Sequence, residues 1–199
     1  MRCIAIVDSG GANIASLLYA FERLGIGAEL TTDADVIRAA ERVVLPGVGA
    51  ARDAMQRLSR AGLVDVIRGL EQPVLGICLG MQLLCEASEE EDVECLGIIP
   101  GTVRKLEVSE GCAVPNMGWC ATHPVAAHPV LDGIDDGSWF YFLHSYALPV
   151  TSATIASARH TGDFSAMVCR NNFVAAQFHP ERSSDAGARL LRNFVEWQT

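Results

Sequence analysis

The amino-acid sequence predicts an α/β fold: a single three-layer domain over residues 1–199, with a mainly parallel central sheet, helices on both faces and antiparallel additions in the second half. Three observations predict it. Strand-like apolar runs alternate with amphipathic helical segments through the first 85 residues. From Leu96 onward turn residues crowd together between short extended pieces. The apolar run Pro73-Val74-Leu75 ends in a glycine-flanked apex that leads straight into a helical pattern.

In order, Cys3 to Val7 is a first strand, and Ala12 to Leu24 a helix with Leu17, Leu18, Phe21 and Leu24 on one face. Ala28 to Thr32 follows as a second strand. Asp33 caps a short helix through Ala40, because its side-chain oxygens can accept from the first free N–H groups. Arg42-Val43-Val44-Leu45 is a third strand that stops at Pro46-Gly47, and a helical stretch runs from about Arg52 to Leu70. The strand at Pro73 to Leu75 then feeds the apex, and Met81 to Cys85 is helical again. The second half supplies extended pieces at Gly101 to Leu106, Trp139 to Leu143, Thr154 to Ala158, Phe164 to Cys169 and Phe173 to Phe178. A closing helix, Asp185 to Trp197, turns Leu190, Leu191, Phe194 and Val195 inward. Ligands of such sheets bind beyond the carboxyl ends of the strands.

The apex is Gly76-Ile77-Cys78-Leu79-Gly80. Glycines on both sides of a reactive residue let a strand turn sharply into a helix and hold one side chain in a strained, exposed position. Unpaired N–H groups at the start of that helix favour thiolate over thiol, so Cys78 is a candidate nucleophile. The other reading is a small buried hydrophobe, the usual state of free cysteine.

A nucleophile needs a base, and the candidate lies in Gln177-Phe178-His179-Pro180-Glu181. Pro180 biases the preceding residue toward extended geometry, which places His179 where the strand finishes. In an extended chain residues i and i+2 share a side about 6 to 7 Å apart, so Glu181 can turn its carboxylate onto the His179 ring. Cys78, His179 and Glu181 thus make a nucleophile, base and orienter set.

Pro46-Gly47-Val48-Gly49 follows a strand, but Arg52 occupies the third glycine position of a dinucleotide fingerprint. The glycines permit close backbone approach and can present an N–H to a developing oxyanion. A plain turn is the alternative.

A net charge of −9 and the lack of a Lys/Arg cluster argue against nucleic acid. The longest apolar region, around Val74 to Cys85, is shorter than the roughly 20 residues of a membrane span, and the N-terminal run is too short for a signal peptide. Seven cysteines with no C-x-x-C pair argue against a disulfide framework and a zinc ribbon, and for a reducing, cytoplasmic setting. No cofactor or metal is expected. The run Glu89-Glu90-Glu91-Asp92 reads as a solvated loop.

Five segments together carry a family resemblance: Pro46-Gly47-Val48-Gly49, Gly76 to Gln82, Asn116-Met117-Gly118-Trp119, Tyr141 to Tyr146, and Gln177 to Glu181. The chain resembles class I (triad) glutamine amidotransferases nearly end to end, from Asp8-Ser9-Gly10-Gly11-Ala12-Asn13 to the last helix. Within them it is most similar to the glutaminase subunits of imidazole glycerol phosphate synthase. The resemblance implies glutamine as substrate, with Cys78 as nucleophile, His179 as acid and base, and Glu181 as its support. It implies an oxyanion hole from the Leu79 N–H and one N–H of Gly47, Val48 or Gly49. Gln82, Glu90 and the Ser145-Tyr146 backbone would hold the glutamine head group, which lifts Glu90 out of its solvated loop. The implied partner is a separate (β/α)8 cyclase subunit that receives ammonia, with Met117, Gly118 and Trp119 at the shared interface; Trp119 as a plain core aromatic is the alternative. The chain departs from the family's usual pattern at Asn116, where histidine is usual, at Cys120, where asparagine is usual, and at Ser9, where tyrosine is usual. Stand-alone γ-glutamyl hydrolysis, service to a different synthase and a non-catalytic interaction module are the other functions such a chain could have.

Overall fold

The computed structural model describes residues 3–10, 14–109 and 111–198. Its main sheet joins both halves of the chain. Five parallel strands, β1 (Cys3–Val7), β2 (Gly27–Thr31), β3 (Arg42–Gly47), β4 (Val74–Cys78) and β13 (Phe173–Ala176), lie in the order β2-β1-β3-β4-β13. The sheet continues antiparallel through β12 (Asp163–Arg170), β11 (Thr154–Arg159), β8 (Asn116–Pro124) and β9 (Ser138–His144), nine strands among the described residues. β3, β4 and β13 are buried throughout, which is why their sequences read as unbroken apolar runs rather than alternating ones.

Helices cover both faces. Leu17 and Phe21 of α1 (Ile14–Arg23) share one core with Leu190 and Phe194 of α6 (Ser184–Glu196). The opposite core holds Ile37 of α2 (Ala34–Ala39), Leu58 of α3 (Ala51–Arg60), Ile67 of α4 (Val64–Arg68) and Leu83 of α5 (Leu79–Leu84). Asp33 caps α2 through bonds from the N–H groups of Asp35 and Val36 at 2.8 and 3.3 Å. The expected start of the first helix at Ala12, and the motif residues Gly11 to Asn13, lie outside the described residues.

Several expectations are corrected. The helical stretch from Arg52 to Leu70 is two helices, broken where Gly62 takes φ +68°, a conformation that interrupts a right-handed helix. The helix after the apex begins earlier and ends sooner than expected, because Cys85 already belongs to β5 (Cys85–Ser88). β5 joins β6 (Val93–Glu94), β7 (Ile99–Lys105) and β10 (Tyr146–Ala147) in a second, four-stranded sheet. The nine-residue β8 is not among the expected strands: Gly118 is its third residue and Pro124 ends it, and both depress strand propensity. β13 stops at Ala176, so His179 lies three residues beyond it.

Candidate active site

β4 ends at Cys78, whose backbone sits at φ 53° and ψ −111°. That region costs a non-glycine residue of order 1–3 kcal/mol. The flanking glycines make the turn possible. A Cβ on Gly80 would meet the Leu45 carbonyl oxygen at 1.7 Å, and one on Gly76 would meet Leu84 Cδ1 at 2.8 Å and Ala175 Cβ at 3.0 Å. Gly47 stands opposite Cys78 in the β3–β4 register, so the Gly47 to Gly49 segment leaves the sheet beside the thiol, with Gly49 at φ +91°. The N–H of Leu79, at the first position of α5, has no partner within the helix.

β13 pairs with β4 in parallel, Ala176 against Ile77, which carries His179 to the same end of the sheet. His179 is anchored by its own backbone: its N–H donates to the Tyr141 carbonyl at 2.9 Å, and Ser183 Oγ donates to the His179 carbonyl at 2.6 Å while accepting from the Tyr141 N–H at 3.0 Å. His179 Nδ1 lies 2.9 Å from Glu181 Oε1. The route of that contact differs from expectation. Pro180–Arg182 is a 3-10 turn, and the turn, not an extended chain, brings Glu181 back to the ring. The pair is largely buried, with 10% and 6% of the two side chains exposed. Burial by itself would lower the His179 pKa; hydrogen bonding and charge from Cys78 and from Glu181 override it and push it up to about 10. An imidazolium is therefore held between a sulfur and a carboxylate.

Cys78, His179 and Glu181 line one cleft of about 360 Å³ with Leu79, Gly47, Val48, Gly49, Gln82, Glu90, Ser145 and Tyr146. Glu90 Oε2 accepts from the Ala51 N–H at 3.0 Å, where α3 has no side-chain cap of its own, so the carboxylate is fixed at the cleft wall rather than free in a loop. Gln82 Nε2 donates to the Tyr146 carbonyl at 3.0 Å. Met117, Gly118 and Trp119 lie outside the cleft, on β8, paired with Leu143, Phe142 and Tyr141 of β9. Trp119 is 47% exposed and Met117 68%, so Trp119 is no core residue.

The deciding observation is the match of a family model, glutamine amidotransferase class-I, over residues 5–197. The chain belongs to the class I glutamine amidotransferase family. It is 52% identical over 196 residues to a protein of Xanthomonas euvesicatoria pv. vesicatoria named imidazole glycerol phosphate synthase subunit HisH, covering 98% of each chain. A protein of the same name from Xylella fastidiosa (strain Temecula1) is 50% identical with the same coverage. Among solved structures, a putative GMP synthase subunit from Thermoplasma acidophilum matches with TM-score 0.77 at 20% identity, covering 98% of this chain and 93% of that one. PurLQS from Thermotoga maritima matches with TM-score 0.71 at 18% identity, covering 98% and 99%. Those two likenesses establish the fold.

Sequence reasoning gave no role to several residues that shape this amidotransferase site. Ser183 fixes the His179 backbone, and Asn116 and His144 stand behind the Ser145-Tyr146 segment. Trp139 is 59% exposed on the same outer strand as Leu143. The available signal was in β9 itself: Trp139 to Leu143 is apolar on both faces, which an edge strand facing water has no reason to be. Arg182 lies over the Tyr141 ring, 4.6 Å from its centroid. Among the described residues no group of three or more His, Cys, Asp or Glu side chains is placed to hold a metal ion, and no helix is long and apolar enough to cross a membrane.

Proposed function

We propose that this amidotransferase, acting as one unit over residues 1–199, is the glutaminase subunit of an imidazole glycerol phosphate synthase. The observation that carries the chemistry is the convergence of a strained cysteine and a Glu181-supported imidazolium in one cleft. The Cys78 thiolate attacks the side-chain carboxamide carbon of glutamine. The negative charge that develops on the carbonyl oxygen is met by the Leu79 N–H and by an N–H of the Gly47 to Gly49 segment. As the C–N bond breaks, His179 gives its proton to the departing nitrogen, and ammonia leaves a γ-glutamyl thioester on Cys78. Neutral His179, steadied by Glu181, then takes a proton from water, which attacks the thioester and releases glutamate and the thiolate. Gln82 and Glu90 receive the ammonium of the substrate and the Ser145-Tyr146 backbone its carboxylate.

Ammonia is protonated once free in water, so productive use requires a partner at the cleft mouth. The names of the relatives at 50–52% identity support a synthase of histidine biosynthesis, and the outer face of β8 and β9 supports a docking surface. Met117, Trp119, Trp139 and Leu143 are all exposed there, and apolar exposure of that kind marks interaction sites. The partner would be a (β/α)8 cyclase forming a heterodimer in the cytoplasm, where the thiols stay reduced.

The test is glutamine hydrolysis by wild type and Cys78→Ala, with and without the cyclase. Activity that the cyclase stimulates and the substitution abolishes is expected. Turnover indifferent to the cyclase points to a stand-alone hydrolase, and turnover that survives Cys78→Ala overturns the mechanism.

A further inference from the structure

A chain of three amide groups runs behind the cysteine, and its direction can be read without seeing a hydrogen. The carbonyl of Tyr146 can only accept. Gln82 Nε2 lies 3.0 Å from it, and the same nitrogen lies 3.0 Å from Gln177 Oε1. Turned the other way, the Gln82 amide would face the Tyr146 carbonyl with oxygen against oxygen and no proton between them. Gln82 therefore spends both N–H groups inward. Gln177 must answer with its oxygen, which leaves its NH2 end on the far side, where Nε2 lies 3.8 Å from Cys78 Sγ. Gln177 is fully buried and Gln82 is 5% exposed, so these bonds operate at low local dielectric.

The sulfur has an opposing neighbour. The Leu143 carbonyl lies 3.7 Å from Cys78 Sγ and can accept from an S–H but not donate to a thiolate. One neighbour thus can only accept from the sulfur and the other can donate to it, beside the His179 ring that also bonds it. We propose that Gln177 holds the thiolate: its side-chain N–H, aimed through Gln82 by the Tyr146 carbonyl, donates to the reacting sulfur. The inference rests on Cys78 being the nucleophile of the proposed glutaminase. It also gives Gln82 a second task. Gln82 faces the substrate cleft and at the same time fixes the orientation of the group that supports the sulfur, so its Oε1 is the end left for the substrate.

The test reads the sulfur directly and needs no turnover. In the full chain, alkylation of Cys78 by iodoacetamide is followed against pH on the Cys78 peptide by mass spectrometry, in wild type and in Gln177→Met, a change that keeps an unbranched side chain of similar length. The expected result is alkylation about 3- to 10-fold slower near neutral pH in the variant, with the same plateau at high pH. Superimposable profiles in a folded variant overturn the proposal. Where Gln177→Met does not fold, the Gln177 side-chain amide resonance of the unsubstituted chain decides: it should move when Cys78 is alkylated, and a resonance that stays still overturns the proposal. Neither readout uses glutamine. Failure here is thus distinct from failure of the glutaminase reading, which Cys78→Ala turnover tests.

Discussion

Asn116 and His144 face each other across the β8–β9 pair, 3.0 Å apart from Nδ2 to Nε2, at the position where the two strands are directly opposite. The other ring nitrogen of His144 lies 2.9 Å from the Tyr146 carbonyl, which only accepts, so Nδ1 carries the proton and Nε2 accepts from Asn116. Cys120 Sγ in turn lies 3.5 Å from Asn116 Oδ1. The two departures from the family's usual pattern on this strand therefore touch, and both stand behind the loop proposed to hold glutamine.

Asn116→Leu should strip His144 Nε2 of its donor. A buried acceptor without a partner costs about 1–3 kcal/mol. The melting temperature should fall accordingly and KM for glutamine should rise, while the rate of Cys78 alkylation should stay close to that of wild type.

His144 should remain neutral well into acid. Burial drives its pKa down to about 4, against an opposing bond to the Tyr146 carbonyl. The unfolded chain takes up a proton near pH 6.5 and the folded chain does not until about 4, so this residue's contribution is complete above 6.5 and is lost as pH falls between the two values. Chemical denaturation from about pH 7 to about pH 4 should show a shallower loss of stability in His144→Gln than in wild type.

His179 should show the opposite behaviour. With its pKa raised to about 10, the stability its charge contributes is complete below pH 6.5 and disappears as pH rises through about 10. Its ring C–H resonances should titrate near 10 in wild type and at lower pH in Glu181→Gln, because one of the two anions holding the proton is gone. Turnover in that variant should drop about 10²-fold. An unchanged titration would show that Glu181 does not hold the imidazolium.

Two glycines should prove intolerant for different reasons. Gly80→Ala drives a Cβ into the Leu45 carbonyl and should cost about 3 kcal/mol or more, read as loss of folded protein or a large fall in melting temperature. Gly187, in α6, faces the Pro180 carbonyl of the turn that carries Glu181, with a Cβ placed 2.0 Å from that oxygen. Gly187→Ala should therefore lower kcat as well as stability, although residue 187 does not line the cleft.

What was legible in the sequence was local. The alternation from Cys3 to Leu75 gave the parallel strands, and glycines around a cysteine marked the apex, because both signals lie within one short window. Three kinds of feature escaped. Gly62 hid inside a helical pattern whose apolar spacing continued on either side. β5, β6 and β10 are two to four residues long, too short for periodicity to register, and exist through pairing with β7 and with one another. The support of the site by Ser183, His144 and Gln177 depends on which strands become neighbours, and no spacing in the chain encodes that β9 lies beside β8 and under the His179 turn.

β4 is flanked by β3, made shortly before it, and by β13, made near the end. A nascent polypeptide that has emerged only as far as β12 bears Cys78 without His179, and one edge of its central strand still lacks a neighbour. A chain that ends anywhere before Phe173 lacks both the strand that covers that edge of β4 and the imidazole proposed as the base.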